Sequence, residues 1–257
     1  MNPTVVKLGG AVLADAEAVA AVWAGVRASA APVVVVHGGG PQATALARRL
    51  GHEPRVVAGR RVTTDLDLDV ALWTLRGALN ARLAAAGGAA GARAVGVSGA
   101  DGGLVTVSRR PPRPVDGETV DFGHVGDVEA VDPTLLLVLA AAGYTPVVAS
   151  VCADRAGALY NVNADTVAAE VAAALGAGRL DLVTEAGGVR RDAGDPGTLV
   201  RRLTAAEAEA GVAEGWIAGG MRPKLETALD ALARGVRSAR VCAPADVGGA
   251  GGTVVVP

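Results

Sequence analysis

Short apolar runs rich in Val recur along the chain and alternate with longer segments whose apolar residues are spaced for one face of a helix. Apolar runs of this length between turn signals are typical of strands buried on both faces of a parallel sheet. The alternation therefore predicts an α/β fold with a largely parallel sheet. The predicted strands are residues 4–8, 33–37, 93–97, 145–150, 180–184 and 239–243.

Seven segments have helical spacing, and several begin with residues that cap helices. Asp15 and Asp65 stand at N-cap or N1 positions, and Thr204 with Glu207 has the spacing of a capping box. These signals fix where the helices begin more firmly than where they end. The predicted helices are residues 15–28, 41–50, 65–86, 133–142, 164–175, 205–214 and 221–234.

Two segments, 53–62 and 115–128, interrupt this succession of strands and helices, because polar and apolar residues alternate within them every one or two positions. This pattern predicts antiparallel hairpins, which we expect to act as lids or rims. Residues 176–179 lie between the polar segment 161–165 with its following helix and the next predicted strand, 180–184. We therefore place a boundary there and expect two lobes, residues 1–176 and 177–257.

Composition excludes several classes of protein. The chain is 51% hydrophobic and 19% charged with a net charge of −2, which is typical of a soluble globular protein. It carries no basic excess, so we expect no nucleic-acid or membrane partner. Gly143 and Pro146 divide the uncharged run 133–153 into a helical half and a β half, which argues against a membrane span. No leader precedes the first strand, and we expect a cytoplasmic protein.

Cysteine and histidine predict neither a metal centre nor a nucleophile. Cys152 and Cys242 lack metal-type spacing, and we expect two buried, reduced thiols. His37, His52 and His124 form no cluster with Cys or carboxylates, so we predict no metal held by the chain alone. No Ser or Cys stands beside a plausible His base.

Lysine and asparagine are unusually scarce. Of 24 basic residues only two are Lys, at positions 7 and 224. The rare residue types have A/T-rich codons, which indicates a G/C-rich genome in which tolerant positions have drifted to Arg. We therefore expect a chemical reason at the few positions that keep Lys or Asn. The asparagines are Asn2, Asn80, Asn161 and Asn163.

Two glycine-rich loops follow predicted strands, at residues 7–10 (Lys-Leu-Gly-Gly) and 37–40 (His-Gly-Gly-Gly). Glycines between a parallel strand and a helix let backbone N–H groups face an anion, and the helix dipole adds to the attraction. The pair predicts a phosphate-sized ligand, and the alternative is two ordinary turns. Neither loop has the spacing of a P-loop or a dinucleotide fingerprint.

Lys7 and Lys224 are the strongest candidates for binding a phosphoryl group, one from each lobe. Asn161, Asn163 and Asp165 alternate along an extended segment that runs into a helix. Asp165 could order the two lysines, whose like charges repel by about 4 kcal/mol at 4 Å and an effective dielectric constant of 20. The alternative is that Asn163 is only an N-cap and Asp165 only a partner of the helix dipole.

Arg61, on the first predicted hairpin, is suited to a substrate carboxylate because its guanidinium donates in a fork, although a surface charge is the simpler alternative. The glycine pairs within 185–189 and 98–103 follow predicted strands. They are either ligand loops or plain turns.

Taken together, the segments 7–10, 37–42, 59–63, 161–165 and 219–224 resemble the amino acid kinase family in order and spacing. The resemblance implies a three-layer αβα sandwich with two lobes. The N-terminal lobe would bind an acylated amino acid and form a homodimer, and the C-terminal lobe would bind ATP with Mg²⁺.

The resemblance also assigns roles to residues. Lys7 and Lys224 would stabilise the transition state, and Asp165 would organise them. The remaining candidates are the substrate-binding Gly39, Gly40, Arg61, Asn161 and Asn163, and the phosphate- or ATP-binding Gly9, Gly10, Glu185, Ala186, Gly187, Gly188, Val189, Trp216, Ile217 and Ala218.

Three positions depart from the family pattern. The family usually has Asp at position 185, a hydroxyl residue at 218 and an apolar residue at 60, where this chain has Glu185, Ala218 and Arg60. The first two change expected nucleotide contacts and leave the phosphoryl site untouched. The third places a second arginine beside Arg61.

The activity implied is ATP-dependent phosphorylation of the side-chain carboxylate of N-acetyl-L-glutamate, a step of arginine biosynthesis. Alternatives are a kinase for N-succinylglutamate or carrier-linked aminoadipate, and a non-catalytic sensor on the same fold. Family members inhibited by arginine carry an extra helix before the first strand, where this sequence has three residues. We therefore expect a homodimer that is insensitive to arginine.

Overall fold

A computed structural model describes residues 2–257. Its strands, numbered along the chain, are β1 (Thr4–Leu8), β2 (Val33–His37), β3 (Val56–Val57), β4 (Arg60–Arg61), β5 (Ala94–Ser98), β6 (Val105–Arg109), β7 (Arg113–Val115), β8 (Glu118–Val120), β9 (Gly126–Val131), β10 (Thr145–Ala149), β11 (Val151–Ala153), β12 (Leu159–Asn161), β13 (Arg179–Val183), β14 (Arg202–Thr204), β15 (Ala239–Cys242) and β16 (Thr253–Val256).

The α-helices are α1 (Gly10–Ala14), α2 (Ala16–Ala28), α3 (Gly40–Arg49), α4 (Asp65–Ala71), α5 (Asn80–Ala89), α6 (Thr134–Ala141), α7 (Ala164–Ala174), α8 (Ala205–Ala213) and α9 (Met221–Ala233). A π-helical stretch, Leu72–Leu79, joins α4 to α5. All seven predicted helices are confirmed. The predicted helix 65–86 is this continuous run of α4, π-helix and α5, and α1 was not predicted.

Eight strands form the central sheet in the order β14-β16-β15-β13-β1-β2-β10-β5. Every neighbouring pair is parallel except β15 and β16. All six predicted strands lie in this sheet, which confirms the α/β prediction. The sheet is continuous across the predicted lobe boundary, because β13 of the second half pairs with β1.

Both faces of the central sheet are buried, which explains the uninterrupted apolar runs of its strands. On one face, Val5 and Val34 belong to a cluster with residues of α7 and α9. On the other face, Val6 and Val35 pack with Trp23 of α2. The molecule is therefore an αβα sandwich, as the family resemblance implies.

Smaller sheets cover one end of this sandwich. The chain leaves β10 at Ser150 and enters a second sheet in the order β12-β11-β6-β9, of which β6 was not predicted. The predicted hairpin 53–62 is confirmed as β3 and β4. In the segment 115–128 the hairpin is β7 with β8, and the residues after it pair with β6 as β9.

Within residues 2–257, no helix combines the length and the apolar character that a membrane crossing requires.

Candidate functional site

A cavity of about 380 Å³ opens at the carboxyl ends of β1 and β2. This is where ligands bind in parallel α/β sheets, because strand ends and helix N-termini meet there. Its walls bring together nine of the predicted site residues, from four separate segments of the chain. These residues are Lys7, Gly9, Gly10, Gly39, Gly40, Arg61, Asn161, Asn163 and Asp165.

An ion pair between Lys7 and Asp165 lies in the wall of this cavity. Lys7 comes from β1 and Asp165 from the first turn of α7, and Nζ lies 2.8 Å from Oδ1. The two side chains are only 7% and 19% exposed. Asn163 caps α7 by accepting from the backbone N–H groups of Asp165 (2.7 Å) and Thr166 (3.3 Å). Asn163 is thus an N-cap, as the alternative interpretation has it, and the cap fixes the helix end that carries Asp165.

Lys224 is the second cation of the site, on the first turn of α9. Burial lowers its pKa, repulsion by Lys7 lowers it further, and Asp165 partly opposes both effects. The two lysines and Asp165 are therefore electrostatic neighbours, as the sequence predicted. Among residues 2–257 no carboxylate lies within 4.0 Å of the half-buried ammonium of Lys224, which favours binding of an anion.

The two glycine loops are locked to one another. A Cβ on Gly10 would lie 2.6 Å from Cδ of Pro41, and Nε2 of Gln42 donates to the carbonyl of Gly10 at 2.6 Å. Gly39 has φ of 157°, and a side chain there would collide with Leu79. A larger residue at Gly10 would therefore push the loops apart, and one at Gly39 would push its loop away from the π-helical stretch. No pattern in the sequence indicates this role of Gln42.

Three helices point their N-termini at the cavity, since their N-caps Gly9, Gly39 and Asn163 all line it. Neither glycine cap supplies a side chain to the first turn of its helix. The free N–H groups of α1 and α3, together with the ammonium of Lys7, give this wall a positive potential. Such a wall suits a phosphoryl group or a carboxylate.

Arg61 is held in place by residues at the starts of α3 and α4. Its guanidinium donates to Oγ1 of Thr44 (2.5 Å), the carbonyl of Gly40 (3.3 Å) and Oδ1 of Asp67 (3.4 Å). Asp67 is 2% exposed. Burial raises the pKa of Asp67, but hydrogen bonds from Thr64 and from His52 lower it overall. The carboxylate is thus ionised and orients Arg61.

Asn161 ends β12 with its carboxamide in the cavity wall, and its Nδ2 donates to Oγ1 of Thr63 at 3.3 Å. A carboxamide has more donors and acceptors than this one bond uses, which leaves groups for a ligand amide.

Other cavity residues were not predicted. Arg110 is 7% exposed and pairs with Asp127, with Nε 2.9 Å from Oδ1. The departure noted at Arg60 also lies in the cavity wall. Ser150 is 1% exposed, and among the described residues its Oγ has no hydrogen-bond partner. Among 22 arginines the sequence held no signal that would single out Arg110.

The predicted nucleotide segments lie outside this cavity. Residues 185–189 follow β13, beside the end of β1, and Glu185 and Ala186 are exposed. Val189 and Ile217 are buried in the core, so only their backbone could reach a nucleotide. Trp216 stacks against the guanidinium of Arg191, 5.0 Å from the ring centroid. Gly187, Gly188 and Ala218 complete these segments, and their contacts with ATP stay a prediction.

One continuous, largely parallel sheet carries two glycine loops at the carboxyl ends of its strands. Together with two lysines and a carboxylate, they form the arrangement of a phosphotransferase. The chain belongs to the amino acid kinase family, whose model matches residues 2–243.

Within that family the chain is similar to acetylglutamate kinases. It is 45% identical to the acetylglutamate kinase of Sorangium cellulosum (strain So ce56), and the match covers all of this chain and 95% of that protein. It is 44% identical to the acetylglutamate kinase of Methanopyrus kandleri, over 91% of this chain and 92% of that protein.

Solved structures agree on the fold. The N-acetylglutamate synthase of Neisseria gonorrhoeae, complexed with coenzyme A and N-acetyl-glutamate, superimposes on all of this chain and 59% of its own with a TM-score of 0.81 and 25% identity. The carbamate kinase of Giardia lamblia bound to AMP-PNP has a TM-score of 0.71 at 14% identity, over 99% of this chain and 98% of its own. That second likeness concerns the fold alone.

Proposed function

We propose that this chain transfers the γ-phosphoryl group of ATP to the side-chain carboxylate of N-acetyl-L-glutamate, giving N-acetyl-L-glutamyl 5-phosphate and ADP. This is a reaction of arginine biosynthesis. The observation that carries the proposal is the triad of Lys7, Asp165 and Lys224, of which Lys7 and Asp165 line the cavity beside its glycine loops and Lys224 interacts with both electrostatically. The similarity to acetylglutamate kinases supplies the substrate.

The reaction needs no general base. A glutamate side chain with a pKa of about 4.3 is already ionised at neutral pH. A carboxylate oxygen attacks the γ-phosphorus, the bond from phosphorus to the β,γ-bridging oxygen breaks, and ADP leaves with that electron pair. Catalysis then consists of in-line positioning and neutralisation of charge on the transferred group.

Each member of the triad has a distinct part in this scheme. Lys7 and Lys224 place positive charge on either side of the transferred group, and the N–H groups at Gly9, Gly10 and Gly40 add donors. Asp165 holds the ammonium of Lys7 at 2.8 Å and offsets the repulsion between the two lysines. The cationic site can thus persist before substrates bind.

The acylated amino acid would lie between the glycine loops and the hairpin of β3 and β4. Arg61 presents its guanidinium fork to the α-carboxylate, and Asn161 offers its carboxamide to the N-acyl amide. Gly39, Gly40 and Asn163 complete the wall. The hydrogen bond to Asp67 supports this assignment, because a guanidinium that is already oriented loses little conformational entropy when a carboxylate binds.

ATP would lie on the C-terminal lobe, residues 177–257, with residues 1–176 holding the acylated amino acid. Among the described residues that line the cavity, Asp165 is the one carboxylate. Mg²⁺ usually binds through substrate phosphates and one or two carboxylates, and this donor set fits an ion that arrives with ATP.

The test is formation of an acyl phosphate. The chain with ATP, Mg²⁺ and N-acetyl-L-glutamate is expected to release ADP and a product that hydroxylamine traps as a hydroxamate. A sensor on the same fold would bind ATP without ADP release, and that result would refute the proposal. Carrier-linked aminoadipate as the sole substrate would refute it equally.

We also propose a homodimer that works in the cytoplasm, where ATP is available. In the described chain β5 ends the central sheet, so one edge of this strand has no partner strand. Trp73 (52% exposed) lies on the π-helical stretch that contacts β5, and Leu137 (41%) and Val138 (60%) lie on α6, which packs on the neighbouring strand β10. An open edge beside apolar side chains favours pairing with a second copy. Light scattering of the purified protein should give twice the chain mass.

A further inference from the structure

Ser150 carries a buried hydroxyl that the chain leaves unpaired. The residue is 1% exposed, and within residues 2–257 its Oγ makes no hydrogen bond. Ser150 also lines the cavity that contains Lys7, Arg61 and Asn161. A buried hydroxyl without a partner destabilises a folded protein, because nothing compensates the loss of its hydration. At a cavity wall, such a group indicates a contact that a ligand completes.

The backbone fixes this hydroxyl between two segments of the proposed substrate site. Ser150 is the residue after β10, which pairs in register with β2, so Ser150 comes level with Gly38 of the second glycine loop. The carbonyl of Ser150 accepts from the N–H of Val162 at 3.1 Å. Ser150 therefore joins the glycine loop to the segment 161–163, and the acylated amino acid would lie against both.

The surroundings of Ser150 offer the hydroxyl no substitute within the chain. Its neighbours Ala149 and Val151 and its backbone partner Val162 are buried and have apolar side chains. A helical serine can bond to a carbonyl of the preceding turn, but Ser150 lies between two strands. A single water would be held there only by further polar groups. A polar group of the substrate would pair the hydroxyl directly.

The acylated amino acid has one acceptor that the contacts proposed above do not use. Its two carboxylates are assigned to the glycine loops with the lysines and to Arg61. The amide N–H can donate to Oδ1 of Asn161, because Nδ2 of that carboxamide donates to Thr63. The N–H and C=O of a trans amide point in opposite directions, so the acyl oxygen needs a donor from a different residue.

We infer that Ser150 is a further substrate-binding residue, whose hydroxyl donates to the acyl oxygen of N-acetyl-L-glutamate. The hydroxyl is then paired in the complex and unpaired in the free enzyme. Part of the stability of the free protein is thus given up for recognition of the acyl group. This inference deepens the proposed function and rests on it.

The first experiment changes the hydroxyl and its acceptor separately. Wild type and Ser150→Ala are assayed with N-acetyl-L-glutamate and with N-thioacetyl-L-glutamate, in which sulfur, a much weaker acceptor, replaces the acyl oxygen. We expect the variant to lower kcat/KM for the acetyl compound about tenfold, mainly through KM, as for the loss of one buried hydrogen bond. For the thioacetyl compound the loss should be about twofold or less.

The second experiment measures stability, which needs no turnover. Without substrate, Ser150→Ala should melt at or above the wild-type temperature, because the unpaired hydroxyl is gone. N-acetyl-L-glutamate should then raise the melting temperature of wild type more than that of the variant.

Ser98→Ala is the matched control for both experiments. Ser98 is 4% exposed at the end of β5, the strand beside β10, and its Oγ donates to Oδ2 of Asp101 at 3.0 Å. This substitution removes a hydrogen bond that the free protein already makes. It should lower the melting temperature and leave kcat/KM for both compounds unchanged.

The outcomes separate this inference from the proposed function. Equal losses for the two compounds in Ser150→Ala would overturn the inference, since the hydroxyl would not contact the acyl oxygen. So would an unchanged kcat/KM for N-acetyl-L-glutamate, or a variant that melts well below wild type without substrate. If N-acetyl-L-glutamate stabilises the wild type but no acyl phosphate forms, the proposed function fails, whereas weaker stabilisation of Ser150→Ala would still support Ser150 as a binding residue.

Discussion

Asn80 holds His37 in a single tautomer. Nδ2 of Asn80 lies 2.9 Å from the carbonyl of Val147, 3.2 Å from that of Val97 and 3.0 Å from Nε2 of His37. Carbonyls only accept, so this atom is the NH₂ group and Nε2 must accept as well. Nδ1 of His37 therefore carries the proton and donates to the carbonyl of Gly38 at 2.9 Å.

This pair supports the glycine loop from behind. His37 is wholly buried and Asn80 is 1% exposed. Burial lowers the pKa of His37, which keeps the ring neutral, and the hydrogen bond to Gly38 opposes that shift only in part. The bond fixes the peptide between Gly38 and Gly39, next to the glycines that face the cavity. His37 and Asn80 are thus positioning residues for the loop.

We predict that Asn80→Asp destabilises the protein although the shape hardly changes. The carboxylate would face three acceptors, and each buried group left without a partner costs about 1–3 kcal/mol. Urea unfolding should show the loss, and KM for the acylated amino acid should rise because the loop is released. Asn163→Asp is the control, since an N-cap uses only the oxygen and Asp caps as well as Asn. Equal unfolding free energies for both variants would contradict the tautomer assignment.

The sequence located the central sheet because its strands are buried on both faces and bear Val at successive positions. It located helix starts at Asp15 and Thr204 because capping is a local interaction, and both caps are present. It missed α1, whose five residues begin at a glycine with no capping side chain. It also missed β6, in which only Val105 and Val107 are buried and whose partner strand β9 lies some 20 residues further along the chain.

Within the site, Lys7, Asn161 and Asn163 were predicted because their residue types are scarce in this composition. Lys7 is one of two lysines and was therefore singled out, whereas Arg110 is one of 22 arginines and was not. Asn80 is one of only four asparagines, but the partners of its Nδ2 lie 17 to 67 residues away and no local pattern indicates them. Asp67 resembled any other acid of a helix start, and only the fold places it against Arg61.

Asp67→Asn should weaken both substrate binding and stability in a pH-dependent way. The folded-state pKa of Asp67 lies below its ordinary value of 3.8, so its contribution is fully present above that pH and is lost as pH falls through the folded pKa. The difference in unfolding free energy between wild type and variant should therefore be constant above about pH 5 and shrink in more acidic solution.

The same variant tests the orientation of Arg61. Without the carboxylate, the fork loses one of its three anchors, and KM for the acylated amino acid should rise more than kcat falls. Asp65→Asn is a suitable control, because this neighbouring acid is exposed and does not contact Arg61. An unchanged KM for Asp67→Asn would show that Arg61 is positioned by Thr44 and Gly40 alone.

Lys7→Met is expected to lower kcat by about 10²–10³, the usual effect of removing one donor to developing charge. It should also destabilise the protein, because the carboxylate of Asp165 would stay largely buried without its cation. The double variant Lys7→Met with Asp165→Asn should recover stability without recovering kcat. A single variant with wild-type turnover would remove Lys7 from the mechanism.

Lys224→Met should have the opposite effect on stability while lowering kcat by a similar factor of about 10²–10³. Burial and repulsion by Lys7 place the folded-state pKa of Lys224 below its ordinary value of 10.5. The charged side chain therefore destabilises the folded protein before substrates bind. Methionine keeps the length of the side chain and removes the charge, so we expect a higher melting temperature in the absence of nucleotide.

The pH dependence identifies the cause of that gain. Between the folded pKa and 10.5 the unfolded chain binds more protons than the folded one, so wild-type stability rises with pH in that window. The advantage of Lys224→Met should be full at neutral pH and fade as pH approaches 10.5. Arg222→Met, which removes an exposed charge from the same helix turn, should show no such window. A Lys224→Met protein less stable than wild type at neutral pH would mean that Asp165 stabilises Lys224 more than burial and Lys7 oppose it.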